Sequence, residues 1–242
     1  MGCSAATFLN KYAPSIEGWL FDGAAYVTEY LLGAQTSMDV NAGCLEIGVY
    51  KGKYLSYLAA ASNVPCVGMD VFIFDQEIEA EQNIKRVMSA TESQNSTQLV
   101  KVNTRTHTAD TFRDALTAAG VSKLTFASID GDHSCAGVMH DLHLVEKNLA
   151  PGGIIAMDDM FSAMSPAVSE GFFNYMKSGS ELKPIAFSDN KLFMTTPGFD
   201  ELYQIKLMVE MSKGENLIGE RWLDGNQSGR IRPFLKGTMI HI

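Results

Sequence analysis

Two acidic clusters stand 28 residues apart in this 242-residue chain, and each directly follows a short apolar run. Asp130-Gly131-Asp132-His133 follows Leu124–Ile129, and Asp158-Asp159 follows Gly152–Met157. Runs of this kind read as strands buried inside a sheet, where an unpaired carboxylate is not tolerated. The acids therefore belong just beyond the strand ends, where an open α/β sheet keeps its ligand crevice. Neighbouring strands lie about 5 Å apart, so carboxylates at two adjacent strand ends can converge on one cation. Without a cation they would repel, and at least one would hold its proton more tightly.

The elements that must position these acids alternate regularly. Strands are expected at Cys44–Ile47, Pro65–Met69, Gln98–Val102, Leu124–Ile129 and Ile154–Met157. Between and after them come helices at Lys53–Ala61, Gln76–Ser93, Ala109–Ala119, Ala136–Leu149 and Pro166–Lys177. Pro184–Phe187 and Leu192–Thr195, joined by Ser188-Asp189-Asn190-Lys191, read as a hairpin. The expected fold is α/β: a doubly wound, mostly parallel, seven-stranded sheet ending in an antiparallel β-hairpin. Residues 1–40 read as a helical segment packed on the core, with its apolar rhythm over 15–34. Residues 41–197 form the ligand-binding domain, and 198–242 a helix (Glu201–Met211) followed by a Gly-, Asn- and Arg-rich tail through Gly225–Arg232.

The first strand-to-helix turn reads Glu46-Ile47-Gly48-Val49-Tyr50-Lys51-Gly52. Glycine after a strand lets the backbone turn tightly and approach a ligand. The turn is not the Gly-x-Gly-x-x-Gly dinucleotide fingerprint, because Val49-Tyr50 fill the place of the second glycine, and it is too short for a phosphate-cradling loop. Glu46 occupies a strand position where a bare carboxylate is costly, so it faces the crevice or a donor. Asp70 ends the second strand, 24 residues after Glu46, as an acid does when it holds a ribose diol; its alternative role is a cap or turn residue. Together these describe an adenosine-type ligand without a pyrophosphate.

The run Leu45–Gly52 resembles the first motif of class I S-adenosylmethionine-dependent methyltransferases. Asp130–Ser134, Pro151-Gly152-Gly153 and Asp158-Asp159 are similar to the branch of macrocin-type and catechol-type small-molecule O-methyltransferases, as are Ile16–Leu20 and Asn190–Phe193. The resemblance covers roughly residues 15–200 and departs at Tyr54-Leu55, where this branch carries small hydroxyl residues. It implies S-adenosylmethionine bound by Glu46, Gly48, Tyr50, Gly52, Asp70 and Val71, with Thr106, Asp130, Asp132 and His133 completing the pocket. It also implies Mg2+ on Asp130, Asp158 and Asp159, a ligand set of the hard oxygen type that suits this ion. His133 stands three residues beyond Asp130, where the catechol-type relatives carry a lysine base. Either His133 or Asp130 can take the proton of a substrate hydroxyl. His107, His140 and His143 read as ordinary loop or helix-surface residues; His140 and His143 lack the spacing of a zinc pair. A small hydroxylated acceptor (a sugar or natural product) and a homo-oligomer are implied as partners.

Composition narrows the alternatives. A formal charge of −9 argues against nucleic acid. Cys3, Cys44, Cys66 and Cys135 show no paired spacing, and no apolar run is long enough to span a bilayer, so a reduced, cytoplasmic protein off the membrane is expected. Met1–Ala6 does not fit myristoylation, since Ala6 stands where Ser or Thr is needed. Three rivals remain: a nicotinamide-dependent oxidoreductase, disfavoured by the missing glycine; a methyltransferase-like binding or assembly subunit without turnover; and a methyltransferase that works without a metal.

Overall fold

The computed structural model describes residues 2–224 and 230–242. Its five central strands are β1 (Cys44–Ile47), β2 (Cys66–Asp70), β3 (Thr97–Lys101), β4 (Leu124–Ile129) and β5 (Leu149–Met157). Every residue of β1 and β4 is buried, the signature of strands covered by helices on both faces. Those covering helices follow in chain order: α3 (Lys53–Ala61), α4 (Gln76–Ala90), α5 (Ala109–Ala118), α6 (Cys135–Asn148) and α7 (Pro166–Lys177). Ser134 starts α6 by accepting a hydrogen bond from the Gly137 N–H at 3.1 Å. That cap confines the first acidic cluster to a tight loop between β4 and α6.

The five central strands run in the order β3-β2-β1-β4-β5, so the strand order reverses between β1 and β4, where such sheets place their ligands. β1, β2, β3, β4 and β5 pair in parallel, with Ile47 opposite Ile129 and Ile129 opposite Met157. The ladder continues one residue past each strand end. Asp130 N–H donates to the Ile47 carbonyl at 2.8 Å, and Asp158 N–H to the Ile129 carbonyl at 3.0 Å. Gly48, Asp130 and Asp158 thus step side by side across the carboxyl edge.

The hairpin is present as β6 (Lys183–Ser188) and β7 (Lys191–Thr195), with β7 antiparallel to β5. Among the described residues the sheet nevertheless has nine strands, not the seven expected. The added pair is β8 (Ile231–Phe234) and β9 (Gly237–His241), and β9 runs parallel to β6 with Ala186 opposite Ile240. β8 carries Arg232 and Pro233, which mask a strand pattern but are tolerated on an exposed edge. Of the stretch read as a tail over 225–232, residues 225–229 lie outside those described.

At the other end of the chain, α1 (Ala5–Lys11) and α2 (Asp22–Ser37) pack on the core. The helical rhythm expected from residue 15 begins only at 22. Gly18 adopts φ +129°, a backbone conformation open to glycine, and residues 16–21 form a non-helical strap instead. Helix α2 is pinned to the opposite sheet edge through buried Gln35, whose amide donates to the carbonyls of Thr125 and Gly152. Tyr203 of α8 (Asp200–Met211) donates to the same Gly152 carbonyl, and α9 (Leu217–Asp224) packs beside it. No helix among the described residues is long and apolar enough to cross a membrane.

Candidate active site

A cleft of about 1280 Å³ opens at the carboxyl edge around the point of strand reversal. Single small-molecule sites usually span about 300–1000 Å³, so this cleft has room for two ligands side by side. One half begins at Gly48, whose φ of +88° and close approach to β4 both demand glycine. A Cβ there would lie 1.8 Å from the Asp130 carbonyl oxygen. The result is a bare backbone turn facing the cleft. Beside it, the Asp70 carboxylate accepts from the Tyr50 N–H at 2.8 Å and the Phe72 N–H at 2.7 Å. Two backbone donors fix its orientation, while each oxygen keeps further accepting capacity. Asp132 accepts from the Ser134 N–H at 2.9 Å and from Arg105 at 2.8 Å. Burial opposes ionisation of Asp132, but these donors hold its carboxyl below the usual range.

The second half contains the acids beyond the ends of β4 and β5. Asp130 Oδ1 lies 3.2 Å from His133 Nε2, and His133 Nδ1 lies 3.3 Å from Ser165 Oγ and 3.5 Å from Asp159 Oδ2. Burial, joined by the charge of Asp158, pushes the Asp130 carboxyl up to about 6 against the pull of His133 and Lys191. The hydrogen bond to Asp130 raises His133 above its ordinary value, with partial burial opposing. Asp159 accepts from Ser165 Oγ at 2.8 Å and from Asn190 Nδ2 at 3.2 Å. Asp130, His133 and Asp159 each offer one ligand atom, and these atoms lie within 4.8 Å of one another. Two carboxylates and an imidazole can hold a divalent ion.

Asp158 lines the same cleft but is paired differently. The Lys191 ammonium, almost wholly buried, sits 2.9 Å from Asp158 Oδ2 and 3.4 Å from Ser128 Oγ. It also lies 4.5 Å from the centre of the Tyr54 ring, whose hydroxyl shares a 2.7 Å hydrogen bond with Thr28. Burial works against charge on Asp158, but the Lys191 charge and hydrogen bond more than reverse this and hold the carboxyl low. Glu46 lies beneath, inside the sheet. Burial raises its carboxyl well above the usual range despite the Lys191 charge, and its Oε2 has no hydrogen-bond partner among the described residues.

Of the residues singled out in the sequence, Gly48, Tyr50, Asp70, Val71, Asp130, Asp132, His133, Asp158 and Asp159 line this cleft together. Glu46, Gly52 and Thr106 do not. Gly52 caps α3 and faces Ala80 of α4, and Thr106 Oγ1 turns back to the Asn103 carbonyl. Sequence reasoning gave no role to Lys191, Arg105, Ser165 or Asn190. A lysine at the first position of an otherwise apolar strand was the available signal for Lys191. His140 Nε2 donates to the Thr104 carbonyl at 3.1 Å and His107 pairs with Thr111, and neither histidine lines the cleft.

Residues 45–160 match the family model described as "Methyltransferase domain". Residues 45–160 thus carry a class I S-adenosylmethionine-dependent methyltransferase domain. Solved structures share its fold at low identity. One is CalS11, a TDP-rhamnose 3′-O-methyltransferase of calicheamicin biosynthesis (TM-score 0.53, 14% identity, 70% of this chain and 79% of that one). Another is an O-methyltransferase from Bacillus cereus in complex with SAH (0.54, 14%, 78% and 88%). A third is MycE of the mycinamycin pathway, in complex with Mg and SAH (0.55, 16%, 81% of this chain but 55% of that one). No curated protein matches the chain in sequence.

The Gly48 turn offers close backbone approach and the pinned Asp70 a fixed carboxylate with accepting capacity to spare, features that suit a nucleoside-bearing cofactor such as S-adenosylmethionine. Gly48→Ala tests the turn. Strain at positive φ together with the clash against Asp130 is expected to cost about 2 kcal/mol or more of stability. It should also weaken S-adenosylhomocysteine binding about tenfold or more, because Asp130 must move. Calorimetry and thermal unfolding of the variant check both; unchanged binding would count against the turn as a cofactor contact.

Proposed function

We propose that this methyltransferase transfers a methyl group to a hydroxyl of a small molecule, a sugar or natural product, and that a divalent cation, Mg2+ in the first instance, assists. The observation that carries the reading is the shared cleft: Asp130, Asp158 and Asp159 face the space beside the Gly48–Asp70 pocket. The O-methyltransferase names of the structural neighbours support it, one of them acting on a nucleotide-linked sugar.

S-adenosylmethionine, when bound, supplies an activated methyl group on a sulfonium. Gly48, Tyr50, Asp70 and Val71 would hold that donor along the β1–β2 side, and Asp132 with Arg105 would close its end of the cleft. The acceptor hydroxyl must lie in line with the sulfonium, and such alignment alone can contribute several kcal/mol, about 7 at the low end of measured effective molarities. His133 and Asp130 form a hydrogen-bonded pair at 3.2 Å, placed to take the hydroxyl proton as the O–C bond forms. A cation held by Asp130 and Asp159 would make that hydroxyl more acidic.

A second reading dispenses with the ion. Lys191 already neutralises Asp158, while Ser165 and Asn190 satisfy Asp159, so the His133–Asp130 pair can serve as base unaided. One experiment separates the readings: methyl transfer from labelled cofactor to a panel of hydroxylated acceptors, after EDTA and again with Mg2+ restored. Loss with EDTA and recovery with Mg2+ is expected; activity that survives EDTA establishes the metal-free version. Failure to bind S-adenosylmethionine at millimolar concentration in calorimetry would overturn both.

A further inference from the structure

The acceptor half of the cleft has a chemistry of its own. Phe161, Met164 and Phe187 line the cleft with Asp159, and the strap over residues 16–21 adds Trp19 and Phe21 to the same lining. Trp19 is 81% exposed, Phe161 51% and Met164 91%, a concentration of uncovered apolar side chains at one mouth. The strap is held in place. Lys53 donates to the Gly18 carbonyl at 2.6 Å, and the Trp19 ring lies over Tyr50 with centroids 6.1 Å apart. Phe161 is likewise braced by the rings of Phe173, Phe187 and Phe234. An apolar surface held in place in this way is suited to a ligand body with flat or alicyclic faces.

The charges point the same way. Six aspartates line the cleft: Asp70, Asp130, Asp132, Asp158, Asp159 and Asp189. Among the described residues the lining contains one lysine or arginine, Arg105, on the cofactor side and committed to Asp132. Two cations close to the acids are paired: Lys191 is buried on Asp158, and Arg221 lies 3.4 Å from Asp189, while Lys53 is held on the Gly18 carbonyl and Arg230 lies outside the lining. The residues outside the description, Met1 and 225–229, include no lysine or arginine. A divalent ion on Asp130 and Asp159 would balance those two carboxylates and leave no positive charge over for a diphosphate. Phosphate recognition ordinarily relies on arginine, lysine or a helix N-terminus.

We infer that the acceptor is an uncharged hydroxyl compound with an apolar, ring-bearing body, and not a nucleotide-diphosphate sugar. This rests on the O-methyltransferase reading and narrows it to one side of the sugar-or-natural-product alternative.

Binding can be measured with the full-length protein saturated with S-adenosylhomocysteine, which occupies the cofactor half and prevents turnover. The probes are 4-nitrophenyl α-L-rhamnoside and dTDP-L-rhamnose, which present the same sugar on an uncharged aryl group or on a diphosphate. Calorimetry should give an affinity about tenfold or more tighter for the aryl glycoside. Phe161→Ala should weaken that probe by about fivefold or more and leave S-adenosylhomocysteine affinity unchanged. Because Phe161 also packs against other rings, Met164→Lys provides a surface change. It should bring the two affinities closer by improving the nucleotide sugar. Equal or tighter binding of dTDP-L-rhamnose, or no binding of either probe while S-adenosylhomocysteine binds normally, overturns this inference alone. Failure of S-adenosylhomocysteine itself to bind removes the methyltransferase reading on which it stands.

Discussion

Lys191→Met should destabilise this methyltransferase by about 3–5 kcal/mol at neutral pH, the loss expected when one partner of a buried ion pair is removed. Methionine fills much the same volume, so the cavity contribution is small. What remains is Asp158, mostly buried, with its 2.9 Å partner gone. Burial would then raise its carboxyl, opposed still by the Asp159 N–H and Asp130 hydrogen bonds but no longer by the Lys191 charge. The sign of the pH dependence follows. A carboxyl whose folded value lies above its unfolded value opposes folding once ionised, so the deficit is greatest at alkaline pH and shrinks as the pH falls. Urea unfolding at pH 8 and pH 5 measures this directly. Lys191→Met combined with Asp158→Asn should recover most of the loss, because neither charge is then stranded. A single variant as stable as the parent at pH 8 would mean that Asp158 finds solvent or another donor, and the pair would not matter to the fold.

That pair also marks the boundary of what the sequence could reveal. The apolar runs ending in Ile47, Met69, Ile129 and Met157 were legible because buried parallel strands leave little freedom in composition. The acids beyond them were legible because a carboxylate has nowhere else to go. Pairing among those acids was not. Asp158 and Asp159 are adjacent in the chain and equivalent in type, yet a strand residue 33 positions later takes one of them. Asp159, at φ +54°, turns instead toward His133, Ser165 and Asn190. Such a division is decided by the approach of β7 to β5, a long-range contact that no local pattern encodes. The edge pair β8 and β9 escaped for a related reason. Arg232 and Pro233 are ordinary in a loop and equally ordinary on a strand with one free side. The strap at residues 16–21 keeps an apolar pattern close to helical spacing, and only the backbone of Gly18 reveals that Trp19 serves the cleft rather than the core.

Asp130→Asn should lower kcat by about 10²–10⁴-fold, the usual contribution of a positioned proton acceptor. The affinity for S-adenosylhomocysteine should stay within about twofold, a change of under 1 kcal/mol. Asparagine keeps the shape at the end of β4 and removes the charge that His133 Nε2 meets at 3.2 Å. In the parent the Asp130 carboxyl is pushed up to about 6, so activity should fall as the pH drops through that value, whether the carboxylate acts as base or as metal ligand. In the variant this acidic limb should move, because His133 loses the hydrogen bond that raises it and titrates lower. The role of Asp130 separates on the metal axis. If it ligates the ion, the residual activity of Asp130→Asn no longer responds to Mg2+; if it is the base, the response persists and the residual rate climbs with pH as acceptor hydroxyls ionise unaided. Stability supplies the control. A raised folded value means that ionised Asp130 opposes folding above pH about 6, so the variant should be more stable than the parent at pH 8. The gain should be about 1 kcal/mol, below the full conversion of the shift, because a third of the side chain is open to water. An activity lost alongside a stability gained cannot come from a damaged fold. If Asp130→Asn were less stable and less active in equal measure, Asp130 would be holding the β4–α6 loop together rather than the reacting proton or its ion.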